Sequence, residues 1–114
     1  MEMVDGIILY TIESGGCLNG VFTNKKLDGE IYNEIARKHT ETGDNDLSGE
    51  YNCFYFDTGE EQNLRCNAEL SIGIKNGTKG TYSLLWEIDG KPVFEGLGYH
   101  MNEKQLVVHY WDKE

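Results

Sequence analysis

Proline is almost missing from this chain: Pro92 stands alone among 114 residues, against fourteen glycines. That balance is rich in turns without being of low complexity, and no stretch reads as a linker or an internal repeat. Cysteine is scarce too. Cys17, Cys53 and Cys66 are odd in number and form no Cys-x-x-Cys pair, which argues against a disulfide framework and for reduced thiols. Long apolar runs are absent, the longest being Ile7-Ile8-Leu9-Tyr10, far too short to span a bilayer. The start, Met1-Glu2-Met3-Val4-Asp5, has neither the basic residues nor the apolar core of a secretion signal. A cytoplasmic location is the expectation.

Positive charge is also short. Ten basic side chains face twenty acidic ones, for a formal net charge of −10. Residues 1–62 carry 13 acidic and 4 basic groups, and residues 63–114 carry 7 and 6. Such a surface repels phosphate backbones and anionic lipid, so neither nucleic acid nor a membrane is an expected partner.

What is present suits strands. Hydrophobic residues make up 39% and charged residues 26%, a globular composition sized for one domain over 1–114. Seven tyrosines, four phenylalanines and two tryptophans favour β structure. Cys66, Ala68, Leu70, Ile72 and Ile74 alternate with polar positions, the period of a half-buried strand. Asn76-Gly77 supplies a tight turn, and Tyr82, Leu84, Trp86 and Ile88 form the next alternating face. Asp89-Gly90 predicts a two-residue hairpin into Val93–Met101, and Asn102-Glu103 a turn into Gln105–Trp111. In the first half, 6–13, 18–24 and 47–57 read as strands, with Ser14-Gly15-Gly16 as a turn. Ile31 and Ile35 sit four apart, and the spacing predicts a short helix over 29–39 with Asp28 as its cap. The expected fold is all-β: an antiparallel meander closing into a small barrel of seven to eight strands.

Several segments resemble the avidin-like and, more broadly, the calycin barrels. Leu18-Asn19-Gly20-Val21-Phe22-Thr23-Asn24 is similar to the opening strand of an avidin, with Phe22 where that family has tryptophan. Leu47-Ser48-Gly49-Glu50-Tyr51 is similar to its second strand. Tyr82-x-Leu84-x-Trp86, Phe94-x-Gly96-x-Gly98 and Leu106-x-Val108-x-Tyr110 also resemble a pattern of small β domains in bacterial proteins. The resemblance implies the barrel fold. It does not extend to biotin, because the hydroxyl run that holds the ureido group has no counterpart here and a strand precedes the opening segment.

Asp44-Asn45-Asp46-Leu47-Ser48-Gly49 copies the start of a calcium loop, but Tyr55 stands where the bidentate Glu is needed. His39, His100 and His109 lack the short spacings of a zinc site, although His100 and His109 flank one turn as candidate cross-strand neighbours. No cofactor or metal is expected. Glu50, Glu69, Glu87, Glu95 and His100 are acid–base candidates that serve equally well as outward strand residues, so catalysis is not expected. The aromatic set remains. In a filled barrel these rings are core; in a partly hollow one they line a pocket for a flat or apolar molecule. The sequence reading is a non-enzymatic binding barrel lined by Tyr82, Trp86, Phe94, Tyr99 and Trp111, with Gly96 and Gly98 leaving room for the ligand. The alternative is an interaction domain that uses its acidic first half, notably Asp44, Asp46, Glu60 and Glu61, or a homodimer formed through free edge strands.

Overall fold

The computed structural model describes residues 5–39, 47–56, 64–74 and 80–113. Over these the chain forms eight strands: β1 Asp5–Glu13, β2 Cys17–Asn24, β3 Tyr32–Lys38, β4 Gly49–Phe56, β5 Leu64–Ile74, β6 Thr81–Ile88, β7 Lys91–Asn102 and β8 Gln105–Asp112. Each pairs antiparallel with the next, and β8 pairs back onto β1. The result is a closed, up-and-down barrel, the all-β architecture expected from the sequence. Closure removes the free edges on which strand-to-strand dimerisation would depend. No helix among the described residues is long and apolar enough to cross a membrane.

The helix predicted over 29–39 is instead β3. Asp28 and Gly29 take φ values of 49° and 92°, which end the 3-10 turn Lys25–Leu27 and turn the chain back into a strand. A spacing of four fits one face of a strand as well as one face of a helix. Ile31, 54% exposed, and half-buried Ile35 lie on the outer side, while Glu34 and Ala36 point inward and are buried. The apolar pattern of β3 is thus inverted, with a carboxylate inside and isoleucines outside. Asp28 caps no helix.

The other turns follow their chemistry. Asp89 and Gly90 both have positive φ, 52° and 76°, as a two-residue hairpin of type I′ requires. The last hairpin turns at Glu103 and Lys104, one residue later than expected, because Asn102 still pairs with Gln105 and accepts a hydrogen bond from the Lys104 N–H at 2.9 Å. On β5 the register shifts past Cys66, so that Cys53 opposes Ala68 and not Cys66. Cys53 is buried in the core. The Asn76-Gly77 turn and Asp44, Asp46, Glu60 and Glu61 lie outside the described residues.

The interior is packed most densely at the end where β1 turns into β2. Tyr10, Leu18, Tyr51, Leu70, Leu106 and Val108 are fully buried, each such side chain contributing about 1.5–3 kcal/mol by leaving water. Leu47 folds beneath that end, and the Tyr51 hydroxyl donates to its carbonyl at 2.7 Å. Glycine makes this packing possible. A Cβ on Gly20 would lie 2.8 Å from a ring carbon of Tyr10, whereas one on Gly73 would meet nothing closer than 3.9 Å. Gly20→Ala is therefore expected to cost about 1–3 kcal/mol in chemical denaturation, with Gly73→Ala nearly neutral. Equal effects from the two substitutions would refute this account of the packing.

Candidate functional site: a ring-lined cavity above a buried carboxylate

Two rows of three residues, each crossing three strands, shape the interior. In the first, Tyr10 on β1 opposes Gly20 on β2, and Gly20 opposes Glu34 on β3. Adjacent strands lie about 4.8 Å apart, so a side chain on β1 reaches β3 only by passing over β2. Gly20 leaves that path open, and the Tyr10 hydroxyl donates to Glu34 Oε2. The thiol of Cys53 on β4 donates to the same oxygen, with S···O 3.7 Å. In the second row, Tyr110 on β8 opposes Gly6 on β1, and Gly6 opposes Asn24 on β2. Here again the tyrosine crosses a glycine, and Asn24 Nδ2 donates to the Tyr110 hydroxyl oxygen at 2.9 Å.

Glu34 is 6% exposed and is the sole buried charged side chain among the described residues. Burial pushes its carboxyl up from the usual carboxylate range, and the donors Tyr10, Cys53 and Trp86 hold that rise in check. Burial, reinforced by the neighbouring carboxylate, raises the Tyr10 hydroxyl and the Cys53 thiol as well. Both therefore keep their protons at neutral pH and act as donors. The indole N–H of Trp86 is near enough to favour the ionised carboxylate, yet it is buried without a well-formed hydrogen bond among the described residues. The two well-formed hydrogen bonds to Glu34 both end on Oε2, and the buried Trp86 indole N–H is a third donor close to the carboxylate.

Glu34 forms part of the wall of a cavity of about 230 Å³, together with Ile8, Phe22, Asn24, Leu27, Tyr32, Ala68, Trp86, Ile88, Phe94 and Tyr110. Leu27 and Ile88 place this cavity at the end of the barrel opposite the dense packing. Tyr110 centres its rings: Phe22, Trp86 and Phe94 lie 6.5, 5.9 and 5.8 Å from it, centroid to centroid. Burial raises the Tyr110 hydroxyl above its ordinary pKa. Among the described residues of the lining there is no lysine or arginine.

Of the residues proposed from sequence, Trp86 and Phe94 line this cavity. Tyr82 is buried but sits at the opposite end, its hydroxyl 3.4 Å from His100 Nε2. Tyr99 and Trp111, expected in the lining, lie outside the cavity. Tyr99 is 59% exposed, and Trp111 packs on the outer face against His109 while donating to Glu95 Oε1 at 2.9 Å. Each is one residue out of phase with an inward neighbour, Gly98 or Tyr110, and alternation sends it outward. Gly96 and Gly98 do face inward, but their space is already taken: added Cβ atoms would lie 3.3 Å from the Trp86 ring and 3.0 Å from Val108. His100 opposes Leu106, and His109 opposes Ile7 and Leu97, so the two histidines are not partners.

Glu34 and Asn24 are not among the sequence candidates, and Tyr110 belongs to the aromatic set on the predicted strands without being one of the five lining residues. The available signal was the first hairpin: centring its register on Gly15 pairs Tyr10 with Gly20 and Asn24 with Gly6. Comparison with models of protein families, with curated proteins and with solved structures finds no match. The functional reading therefore rests on the geometry.

A carboxyl with a raised folded-state pKa favours folding below its unfolded pKa of about 4.3 and loses that contribution as pH rises through the folded value. Substituting Glu34→Gln removes this dependence. The difference in melting temperature between variant and wild type is expected to move in the variant's favour from about pH 4 upward. A difference that stays constant with pH, or moves the other way, would contradict a raised Glu34.

Proposed function

We propose that this barrel binds one small, flat, largely apolar molecule in the cavity beside Tyr110, as a carrier or sensor domain of the calycin-like kind and without catalysis. The observation that carries the reading is the division of the interior. At one end Tyr10, Leu18, Tyr51, Leu70 and Leu106 fill the interior beneath a recess at the rim beside the Ser14-Gly15-Gly16 turn, and the other end keeps about 230 Å³ walled by the rings of Phe22, Trp86, Phe94 and Tyr110. An eight-stranded barrel is the size at which side chains either fill the interior or leave space for one small ligand. A cavity of about 150 Å³ accepts benzene, and drug-sized sites begin near 300 Å³. The occupant is accordingly one ring or two fused rings.

A second reading, self-association, is favoured by one observation. Val21, Leu9, Val107 and Tyr99 follow one another in register across β2, β1, β8 and β7 on the outer surface, and Ile7 and Leu97 lie one row away. Val21, Tyr99, Ile7 and Leu97 are all exposed, and a contiguous apolar patch of this kind suits a second copy of the chain. It is set apart from the cavity, so the two readings are independent. Sedimentation velocity over a hundredfold concentration range tests it: a dimer that Ile7→Lys dissolves is expected, and a monomer throughout would refute it.

The chain has two tryptophans, one lining the cavity and one on the outer face. Trp111→Phe leaves Trp86 as the only tryptophan and a direct reporter. Titrating this variant with naphthalene is expected to change its emission with one-to-one saturation. Ala68→Leu, which adds a branched side chain to the cavity wall, should weaken the ligand by roughly tenfold or more, about 1.4 kcal/mol. Unchanged affinity in the Ala68→Leu protein would place the ligand elsewhere, and unchanged emission at saturating naphthalene would refute ring binding in the cavity.

A further inference from the structure

A cavity meant only for hydrocarbon has no need of a carboxylate. Glu34 is buried, is part of the cavity wall, and has an oxygen, Oε1, to which no described residue makes a well-formed hydrogen bond, with the Trp86 indole N–H its neighbour. Resting on the ring-binding reading above, we infer that Glu34 Oε1 is the recognition point of the site, and that the ligand is a planar ring compound bearing a cationic N–H donor such as an amidinium or ring-attached ammonium group.

Three features converge on that chemistry. First, Oε2 is already occupied by Tyr10 and Cys53, which fixes the carboxylate's orientation and leaves a defined acceptor for the ligand. A preoriented acceptor on a strand, backed by neighbouring donors, is how binding sites obtain directional selectivity. Second, the described residues of the lining include no lysine or arginine and the chain carries a net charge of −10, so an anionic ring meets a field that repels it. Third, the walls are the rings of Phe22, Trp86, Phe94 and Tyr110, whose faces attract a cation and whose bulk fits a flat one. A charge-assisted hydrogen bond inside such walls is stronger than a neutral one. An uncharged, donor-free ring would fill the same volume but leave Oε1 unpaired in a drier environment.

The test uses the full-length protein and calorimetric titration with four probes: benzamidine, benzamide and benzoate, which share shape and differ in charge, and naphthalene, which reports on ring binding alone. Benzamidine is expected to bind wild type about tenfold or more tightly than benzamide or benzoate, the range of one charged hydrogen bond. In Glu34→Gln that preference should shrink to roughly threefold or less, while naphthalene affinity is unchanged. If Glu34→Gln does not fold, the wild-type pH series decides. Benzamidine stays cationic down to about pH 4 while Glu34 protonates, and Tyr10, Cys53, Trp86 and Tyr110, which face it from β1, β4, β6 and β8, gain no charge over that range. Benzamidine affinity should then fall with pH and naphthalene affinity should not. Naphthalene binding without any benzamidine preference would overturn the cationic-donor inference and leave the ring-binding proposal standing. Failure of naphthalene and benzamidine alike would overturn both.

Discussion

The hydrogen bond from Tyr10 to Glu34 spans two strand spacings, and much of the molecule is arranged so that it can exist. It needs a residue without a side chain on β2, and Gly20 supplies it. It needs the first and third strands to face one another across a curved sheet, which closure into a barrel provides. It also needs a second donor, since a buried carboxylate with a single partner is costly, and Cys53 on β4 provides that. The Tyr10–Gly20–Glu34 row thereby ties β1 through β4 into one polar network at the middle of an otherwise apolar interior. Below it fully buried side chains such as Leu18, Leu70 and Leu106 fill the interior; above it the rings around Tyr110 leave space.

The same construction appears twice. Tyr110 crosses Gly6 to meet Asn24 much as Tyr10 crosses Gly20 to meet Glu34, and the polar partner sits on the far side in both. Glycine in a strand ordinarily weakens it. Here a ring from the neighbouring strand covers the bare backbone and recovers the lost contact area, the arrangement used in curved sheets to rescue such glycines. The tyrosines thus fill space with their rings and place a hydroxyl two strands away. The chemistry of the cavity is therefore a by-product of how the barrel is packed, which is why its polar groups come from β1, β2, β3, β4 and β8 together.

Alternation and turn residues made most of the fold legible. The β5–β8 meander follows from period-two faces and from Asp89-Gly90. The β1–β2 hairpin follows from Ser14-Gly15-Gly16. What misled was β3, where the inward face carries Glu34 and the outward face Ile31 and Ile35. A pattern argument assumes that water faces the polar side, and the buried carboxylate of Glu34 reverses that assumption. The cavity was half legible. Trp86 and Phe94 were read correctly as inward, but Tyr99 and Trp111 were chosen for their rings although parity with Gly98 and Tyr110 sets them outside. Both faces of β8 are rich in apolar residues, so hydrophobicity alone did not separate inside from outside there; pairing with β1 does.

Because β8 lies against β1, Asp5 and Trp111 are neighbours in register. Opposed residues in such a ladder have Cα atoms only about 4.5–5.5 Å apart. The barrel consequently behaves as a ring whose numbering has an arbitrary origin. A short peptide could join the start of β1 to the end of β8, and the barrel could be reopened in the exposed Asp89-Gly90 hairpin, without breaking any strand. By the same token the whole domain can be spliced into a loop of another protein, since it enters and leaves through one point on its rim. That point lies at the end of the barrel that holds the cavity, so a host inserted there would sit beside the cavity.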